Sequence, residues 1–531
     1  MKPKFNWEFP YRSQKIPVLG RNIVSTSHPL AAQAGLNMLK KGGNAVDAAV
    51  STAITLAVVE PVNNGIGSDA FVIVWDGDKL HGLNASGKSP NRWTKEHFSK
   101  YNQMPLTGWD TVTVPGAVSG WVELWKKFGK LEFKQLFEPA IRYAKEGFLV
   151  PPIIADIWKT ASRVYKKEDF PEFHRVFLPD GRSPNPGEQF KIPELSDTLE
   201  LIANTKGEAF YKGKLAEEIV EHAKDSDGLL TLNDLRDHQP RWEDPFNIEY
   251  KGIKLHELPP NGQGLTALLT LGILREFDLE KFEKNSVDSL HLQMEAMKLG
   301  FADAYQYISD PNYLELDPTL LLKPEYLKER ANLIENDTAK QYSAGNPKPG
   351  GDTVYLTTAD KNGMMVSYIQ SNYFGFGSGI VVPETGISLQ NRGNCFTLEE
   401  GHPNQIGPNK RPFHTIIPAF VTKDGNALMS FGVMGGAMQP QGHVQMITRI
   451  FDYNENPQAA VDAPRWRYMK DHKINVEQGF DQSTLDHLKA KGHRIGRGHY
   501  LNFGGAQIIY KLDEGYLAAS EPRKDGHAVT F

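Results

Sequence analysis

Gly350-Gly351-Asp352-Thr353-Val354-Tyr355-Leu356 joins a glycine-rich loop to an apolar run whose first residue carries a hydroxyl. A threonine opening a strand is ordinary, because β-branched side chains suit strands. It becomes a reagent if the peptide bond between Asp352 and Thr353 is cut. The hydroxyl and the new α-amine then belong to one residue. An amine with a pKa of about 7.7 to 8 can take the hydroxyl proton at neutral pH, so nucleophile and base arrive together without a histidine. Acyl transfer of this kind also needs donors for an oxyanion. Ser430 to Gly442, SFGVMGGAMQPQG, lies between an apolar run and the helix-like HVQMITRIFDY. Glycines there allow backbone N–H groups to approach a substrate, and a helix start favours negative charge.

Other chemistries lack their residues. There is no HExxH, no P-loop lysine motif and no dinucleotide glycine fingerprint. GFGSG at 375–379 is not in GxSxG order, which removes a serine-hydrolase elbow. The sixteen histidines show no metal-ligand spacing, so no metal and no cofactor is expected. A single cysteine, Cys395, excludes an intrachain disulfide framework. A net charge of −5 and a pI near 6.4 give no electrostatic case for nucleic acid. Met1 to Pro17 has no apolar core, and no run approaches the ~20 residues of a membrane span. The expectation is a soluble, cytoplasmic protein.

The elements that would position this chemistry change character along the chain. Within His28 to Pro61, alanines and leucines at helical spacing give two helices. The first stops at Gly42-Gly43, and the second is capped by Asn44. Phe71 to Ser86 reads as two strands around Asp76-Gly77-Asp78. Residues 115 to 345 read as mostly helical, with a short strand in FNIEYKGIKLHEL. GNPKPGG, Gly345 to Gly351, is a non-helical loop. Hairpins follow around Asp360-Lys361-Asn362-Gly363 and Lys423-Asp424-Gly425-Asn426, and Gln507 to Phe531 closes with more strand. A helix-rich part thus precedes the loop, and a strand-rich part follows it.

Several segments in fixed order carry a resemblance: SHPLAAQAGLNMLKKGGNAVDAAV, VVEPVNNGIGSDAF, TVTVPGAVSGWVELWKKFGKL, GLLTLNDLRDHQPRWEDP, HLQMEAMKLGFADA, GFGSGIVVPETGI, GPNKRP and the glycine pair. Over nearly its whole length the chain resembles the γ-glutamyltransferases (γ-glutamyl transpeptidases, glutathione hydrolases) of the N-terminal-nucleophile hydrolases. The resemblance implies an α+β fold, a four-layer αββα sandwich built from a self-cleaving precursor. Its large chain would be 1–352 and its small chain 353–531. Thr353 takes the place of the catalytic threonine, Ser371 that of a second threonine whose hydroxyl bonds the nucleophile, and Gly435 and Gly436 that of the oxyanion-hole pair.

The substrate pocket departs from the family. The arginine that grips the glutamyl α-carboxylate falls at Ser86, with Lys88 two residues away. The acid that pairs with the α-ammonium falls at Cys395, and a carboxamide or carboxylate three positions earlier falls at Arg392. The two-serine step after GPNKRP becomes His414-Thr415. An asparagine after the second hydroxyl falls at Tyr373 or, with one insertion, at Asn372. A glutamyl head would lose one charge-assisted bond and meet a like charge at Arg392. This cassette is similar to offshoot members described as cephalosporin acylases or oxamate amidohydrolases.

The function implied is cleavage of a side-chain amide through an acyl-threonine, the acyl group passing to water or an amine. Substrates would be small molecules, either γ-glutamyl compounds such as glutathione or carboxylated amides lacking the α-amine. The partners would be the two chains themselves, a heterodimer with its further assembly left open. The competing reading is an unprocessed, silent relative that only binds.

Overall fold

A computed structural model describes residues 15–343 and 352–531, with only the backbone at Asp352. The Gly345–Gly351 loop and most of the Met1–Pro17 stretch therefore lie outside the described residues.

Local signals fix the first elements. Strand β1 is Val18–Gly20 and β2 is Ile23–Thr26. Helix α1, Pro29–Lys40, opens on a proline, and the His28 side chain accepts the Leu30 N–H. Helix α2, Ala45–Val59, starts with the reciprocal box of Asn44 and Asp47 and is buried along its whole length. Strands β3 (Asp69–Trp75) and β4 (Leu80–Asn84) form the expected hairpin. Helix α3 (Ala117–Phe128) and several shorter helices follow. Then come β5 (Arg241–Glu243), β6 (Phe246–Tyr250) and β7 (Ile253–Glu257). Helices α4 (Gly264–Leu274) and α5 (Val287–Tyr307) come next.

Beyond the loop, β8 (Asp352–Ala359) pairs with β9 (Met365–Tyr373), and β10 (Ala419–Lys423) with β11 (Asn426–Met434). Helix α6 spans Met438–Ile447. The chain closes with β12 (Gly505–Leu512), β13 (Gly515–Ser520) and β14 (His527–Thr530).

These fourteen strands build two antiparallel seven-stranded sheets, ordered β1-β13-β12-β11-β10-β7-β6 and β14-β2-β8-β9-β3-β4-β5. The period-two alternation of each strand sorts its residues into layers. Phe71, Ile73, Tyr355 and Ile369 of one sheet pack between the sheets against Phe420, Met434 and Ile509 of the other. Val72, Val74, Leu356 and Val366 face outward onto α2 and α3. Leu255, Val421, Phe431 and Ile508 face outward onto α4, α5 and α6. Three apolar layers separated by two sheets make the αββα sandwich that the family resemblance implies.

The contrast between a helical first part and a stranded second part is coarser than the structure. Strands β1 to β7 precede residue 352 and β8 to β14 follow it, and each sheet mixes both sets. The early strands are short and set among long helices, so local periodicity under-reports them.

Candidate active site

Thr353 enters the site through an irregularity. In the β8–β9 pair Asp352 faces Tyr373 while Val354 faces Gln370, so the register shifts across Thr353. Such bulges re-aim a side chain and recur beside active sites. Thr353 Oγ1 donates to Ser371 Oγ at 3.2 Å. Ser371 Oγ also accepts the Tyr373 N–H at 2.8 Å. That bond holds Tyr373 at a φ of +77°, a strained value for a side-chain-bearing residue.

The glycine pair sits where the sequence puts it, between the end of β11 and the start of α6. Gly435 has φ +117° and Gly436 φ +60°, values that favour glycine. A Cβ on Gly435 would lie 3.1 Å from Gly504 Cα, so the turn is pressed against the neighbouring strand. Gly435 O and Gly436 O accept the N–H groups of Met438 and Gln439, each at 3.1 Å. The turn thereby fixes Gln439, whose Nε2 donates to Thr353 Oγ1 at 3.4 Å and whose Oε1 accepts the Ile417 N–H at 2.9 Å. Gln263 Nε2 donates to both Gly436 O and Thr415 O, tying the glycine turn to the next group of residues.

That group centres on Arg392, which is fully buried. Its Nη1 donates to Thr415 Oγ1 at 2.7 Å and lies 3.9 Å from Cys395 Sγ. The guanidinium stands 4.8 Å from the Tyr373 ring centroid. Nε and Nη2 have no partner among the described residues. Among the described residues, no Asp or Glu oxygen lies within ion-pair reach of this cation. His414 stacks on Phe71 and donates from Nε2 to Asp69 Oδ2 at 3.1 Å. Burial, with Arg392 adding to it, keeps the ring neutral. Burial also pushes the Asp69 carboxyl up to about 7, against the pull of Arg392.

Thr353, Ser371, Gly435, Gly436, Arg392, Tyr373, Cys395, His414 and Thr415 are thus linked by direct contacts, through Gln263 or through Asp69. Three other candidates are placed elsewhere. Asn372 follows the strand alternation to the helical side, where its Oδ1 accepts from Ser68 Oγ at 2.7 Å. Tyr373, not Asn372, therefore flanks Arg392. Ser86 is buried against Asn84 Oδ1 at 2.7 Å, and its carbonyl accepts from Arg411. Lys88 lines a cavity of about 540 Å³ with His238, Arg241 and Arg411, to which Thr353 and Arg392 do not contribute.

Gln439, Gln263 and Asp69 escaped sequence reasoning. Gln439 lies three residues past the glycine pair and Asp69 inside GSDAF, both within segments already singled out. Only their tertiary neighbours give them a role. The structure also gathers His291, Glu295 and His493 with ligand atoms within 4.8 Å of one another. Lys298 Nζ sits 2.5 Å from Glu295 Oε1, and Tyr342 and the Lys340 N–H take Oε2. Lys298 supplies the positive charge there.

A threonine heading a strand between two stacked antiparallel sheets, with helices on both outer faces, defines the N-terminal-nucleophile hydrolases. Comparison with known proteins narrows the class. The family described as Gamma-glutamyltranspeptidase matches residues 31–531. The chain is 37% identical to the glutathione hydrolase-like YwrD proenzyme of Bacillus subtilis over 96% of this chain and 98% of that one. It is 33% identical to the oxamate amidohydrolase proenzyme of Klebsiella pneumoniae, over 95% and 97%. The crystal structure of cephalosporin acylase from Bacillus halodurans superposes with a TM-score of 0.94 at 45% identity, covering 99% of each chain. The chain belongs to the γ-glutamyltranspeptidase family and is an enzyme of its hydrolase and acyltransferase kind.

Proposed function

We propose that the chain cuts itself between Asp352 and Thr353, and that Thr353 then cleaves amides whose acyl part carries a carboxylate but no α-amine. Thr353 Oγ attacks the amide carbonyl while its own α-amine accepts the hydroxyl proton. The N–H groups of Gly435 and Gly436 receive the oxyanion. Collapse breaks the C–N bond, the leaving amine takes the proton, and an ester to Thr353 remains. Water or a second amine then attacks that ester and releases the acyl group. Ser371 and Gln439 hold the nucleophile.

One observation carries the substrate reading. Arg392 is a fully buried guanidinium, two of whose nitrogens have no partner among the described residues, flanked by Tyr373, Thr415 and Cys395. A buried charge left in that state is costly, and a carboxylate is the group that relieves it. Among the described residues, nothing beside Arg392 offers an anion to an ammonium group, since Cys395 supplies a thiol and Asp69 already accepts from His414 and backbone N–H groups. The names of two relatives, an oxamate amidohydrolase and a cephalosporin acylase, support amide substrates of this kind. The second reading, γ-glutamyl transfer from compounds such as glutathione, is favoured by the name of the Bacillus subtilis relative.

Glutaryl-p-nitroanilide against γ-glutamyl-p-nitroanilide, on one processed preparation, tests the proposal. Loss of a charge-assisted bond costs roughly 1.5 to 3 kcal/mol, or about one to two decades in kcat/KM. The glutaryl compound is expected to win by that margin, and Arg392→Gln to erase the advantage. A clear preference for the γ-glutamyl compound would defeat the pocket reading and leave the threonine chemistry standing.

A further inference from the structure

Asp69 is a buried charge that the acyl transfer does not use. It heads β3, and its carboxylate is fixed from three sides. Gly116 N–H donates to Oδ1 at 3.1 Å, Gly87 N–H donates as well, and His414 Nε2 reaches Oδ2. The Nδ1 of His414 accepts the Ile416 N–H at 3.4 Å, so the ring proton belongs on the nitrogen that faces Asp69. Both carboxylate oxygens are thus engaged by donors other than Arg392. Yet His414, which Asp69 holds, is followed in the chain by Thr415, which accepts from Arg392 Nη1, so the guanidinium lies near enough to draw the Asp69 carboxyl down. Asp69 is therefore an anion near a guanidinium whose Nε and Nη2 have no partner among the described residues.

We propose that Asp69 and the carboxylate of an incoming acyl group compete for the charge of Arg392, which makes Asp69 the residue that sets how strongly the site selects anionic acyl groups. The inference rests on the carboxylate reading of Arg392. With Asp69 ionised, the substrate carboxylate enters a site that already holds one anion. With Asp69 protonated, the whole charge of Arg392 is offered to the substrate. The other groups facing Asp69 are Arg392 beside Cys395, Arg411 and His414 from the 408–417 loop, and Tyr211. Burial keeps His414 neutral and pushes the Tyr211 hydroxyl up. Asp69, at about 7, is thus the group expected to change charge around neutral pH. Coupling is reciprocal: whatever factor Asp69 ionisation removes from carboxylate affinity, a bound carboxylate returns as proton affinity at Asp69. A coupling of one pKa unit is tenfold.

The experiment compares kcat/KM for glutaryl-p-nitroanilide with that for valeryl-p-nitroanilide, an acyl group of equal length without the charge. Processed wild type, Asp69→Asn and Arg392→Gln are followed from about pH 5.5 to about 8.5, either side of the expected transition. The ratio cancels the titration of the Thr353 amine, which both substrates share. In wild type the ratio is expected to fall about tenfold as pH rises. In Asp69→Asn it should be high and flat, and in Arg392→Gln low and flat. A flat wild-type ratio, or an Asp69→Asn ratio that keeps the slope, overturns the proposal. A ratio unchanged by Arg392→Gln defeats the carboxylate reading itself, which keeps the two failures apart. If Asp69→Asn does not accumulate processed, competitive inhibition of wild type by glutarate over the same range decides. A Ki rising about tenfold supports the competition, and a constant Ki overturns it.

Discussion

Thr353 and Ser371 share one hydrogen bond, and removing either end tests a different thing. Thr353→Ala deletes the attacking oxygen, so both self-cleavage and turnover should vanish while the fold survives. A Thr353→Ala preparation that still splits at this bond would assign the nucleophile elsewhere. Ser371→Ala leaves the oxygen but takes away its acceptor and that of the Tyr373 N–H. Each lost bond is worth about 1 kcal/mol, so both reactions should slow by about fivefold or more without stopping. Rates on a denaturing gel and with a chromogenic amide check the pair.

The element most exposed to substitution is the turn between β11 and α6. Gly435→Ala would put a side chain at φ +117° and 3.1 Å from Gly504 Cα. Strain of this sort costs on the order of 1 to 3 kcal/mol, and relieving it displaces the N–H groups meant for the oxyanion. The expected signature is a kcat at least about tenfold lower with KM little changed. An unaltered kcat would remove the turn from the chemistry.

A second element-scale prediction concerns the segment after β13. Burial pushes the Glu521 carboxyl up, but Arg465 at 2.8 Å and Arg523 at 2.6 Å outweigh it and hold the group at about 2. A carboxyl lowered on folding stabilises above its unfolded pKa of about 4.5 and loses that contribution as pH falls through its folded value. The window therefore runs from about pH 4.5 down to about 2, and the contribution is on the order of 3 kcal/mol. Urea midpoints across that window should drop for wild type and much less for Glu521→Gln, which itself starts about 3 to 5 kcal/mol less stable. Parallel curves would refute the assignment.

At the scale of the whole molecule, the proposed cut leaves fragments that cannot part. β2 pairs with β8 and β14, β9 with β3, and β10 with β7, so strands from either side of the cut are hydrogen-bonded to each other within both sheets. Separation would strip hydrogen bonds from both sheets and open the core between them. Processed protein should run as two bands under denaturing conditions and one species under native ones, and sequencing of the smaller band should begin Thr-Val-Tyr. An active preparation that remains one intact chain would sink the maturation scheme.

Features that depend on neighbours along the chain are legible before folding. The capped helices α1 and α2, the hairpins of β3–β4, β8–β9 and β10–β11, the threonine at a strand head and the glycine pair before a helix are all set by residues a few positions apart. The resemblance supplied the layered sandwich because many such segments recur in one order. Tertiary structure decided what depends on residues distant in sequence. It chose Tyr373 over Asn372 beside Arg392, because strand alternation turns one toward the sheet interface and the other toward the helices. It placed Lys88 in another cavity, and it brought Gln263, Gln439 and Asp69 to a site that their local contexts do not announce. Charge balance around a buried group is a property of three-dimensional neighbours. That is why the incompletely partnered guanidinium of Arg392 and the carboxylate of Asp69, far apart in the chain, could be read together only from the folded molecule.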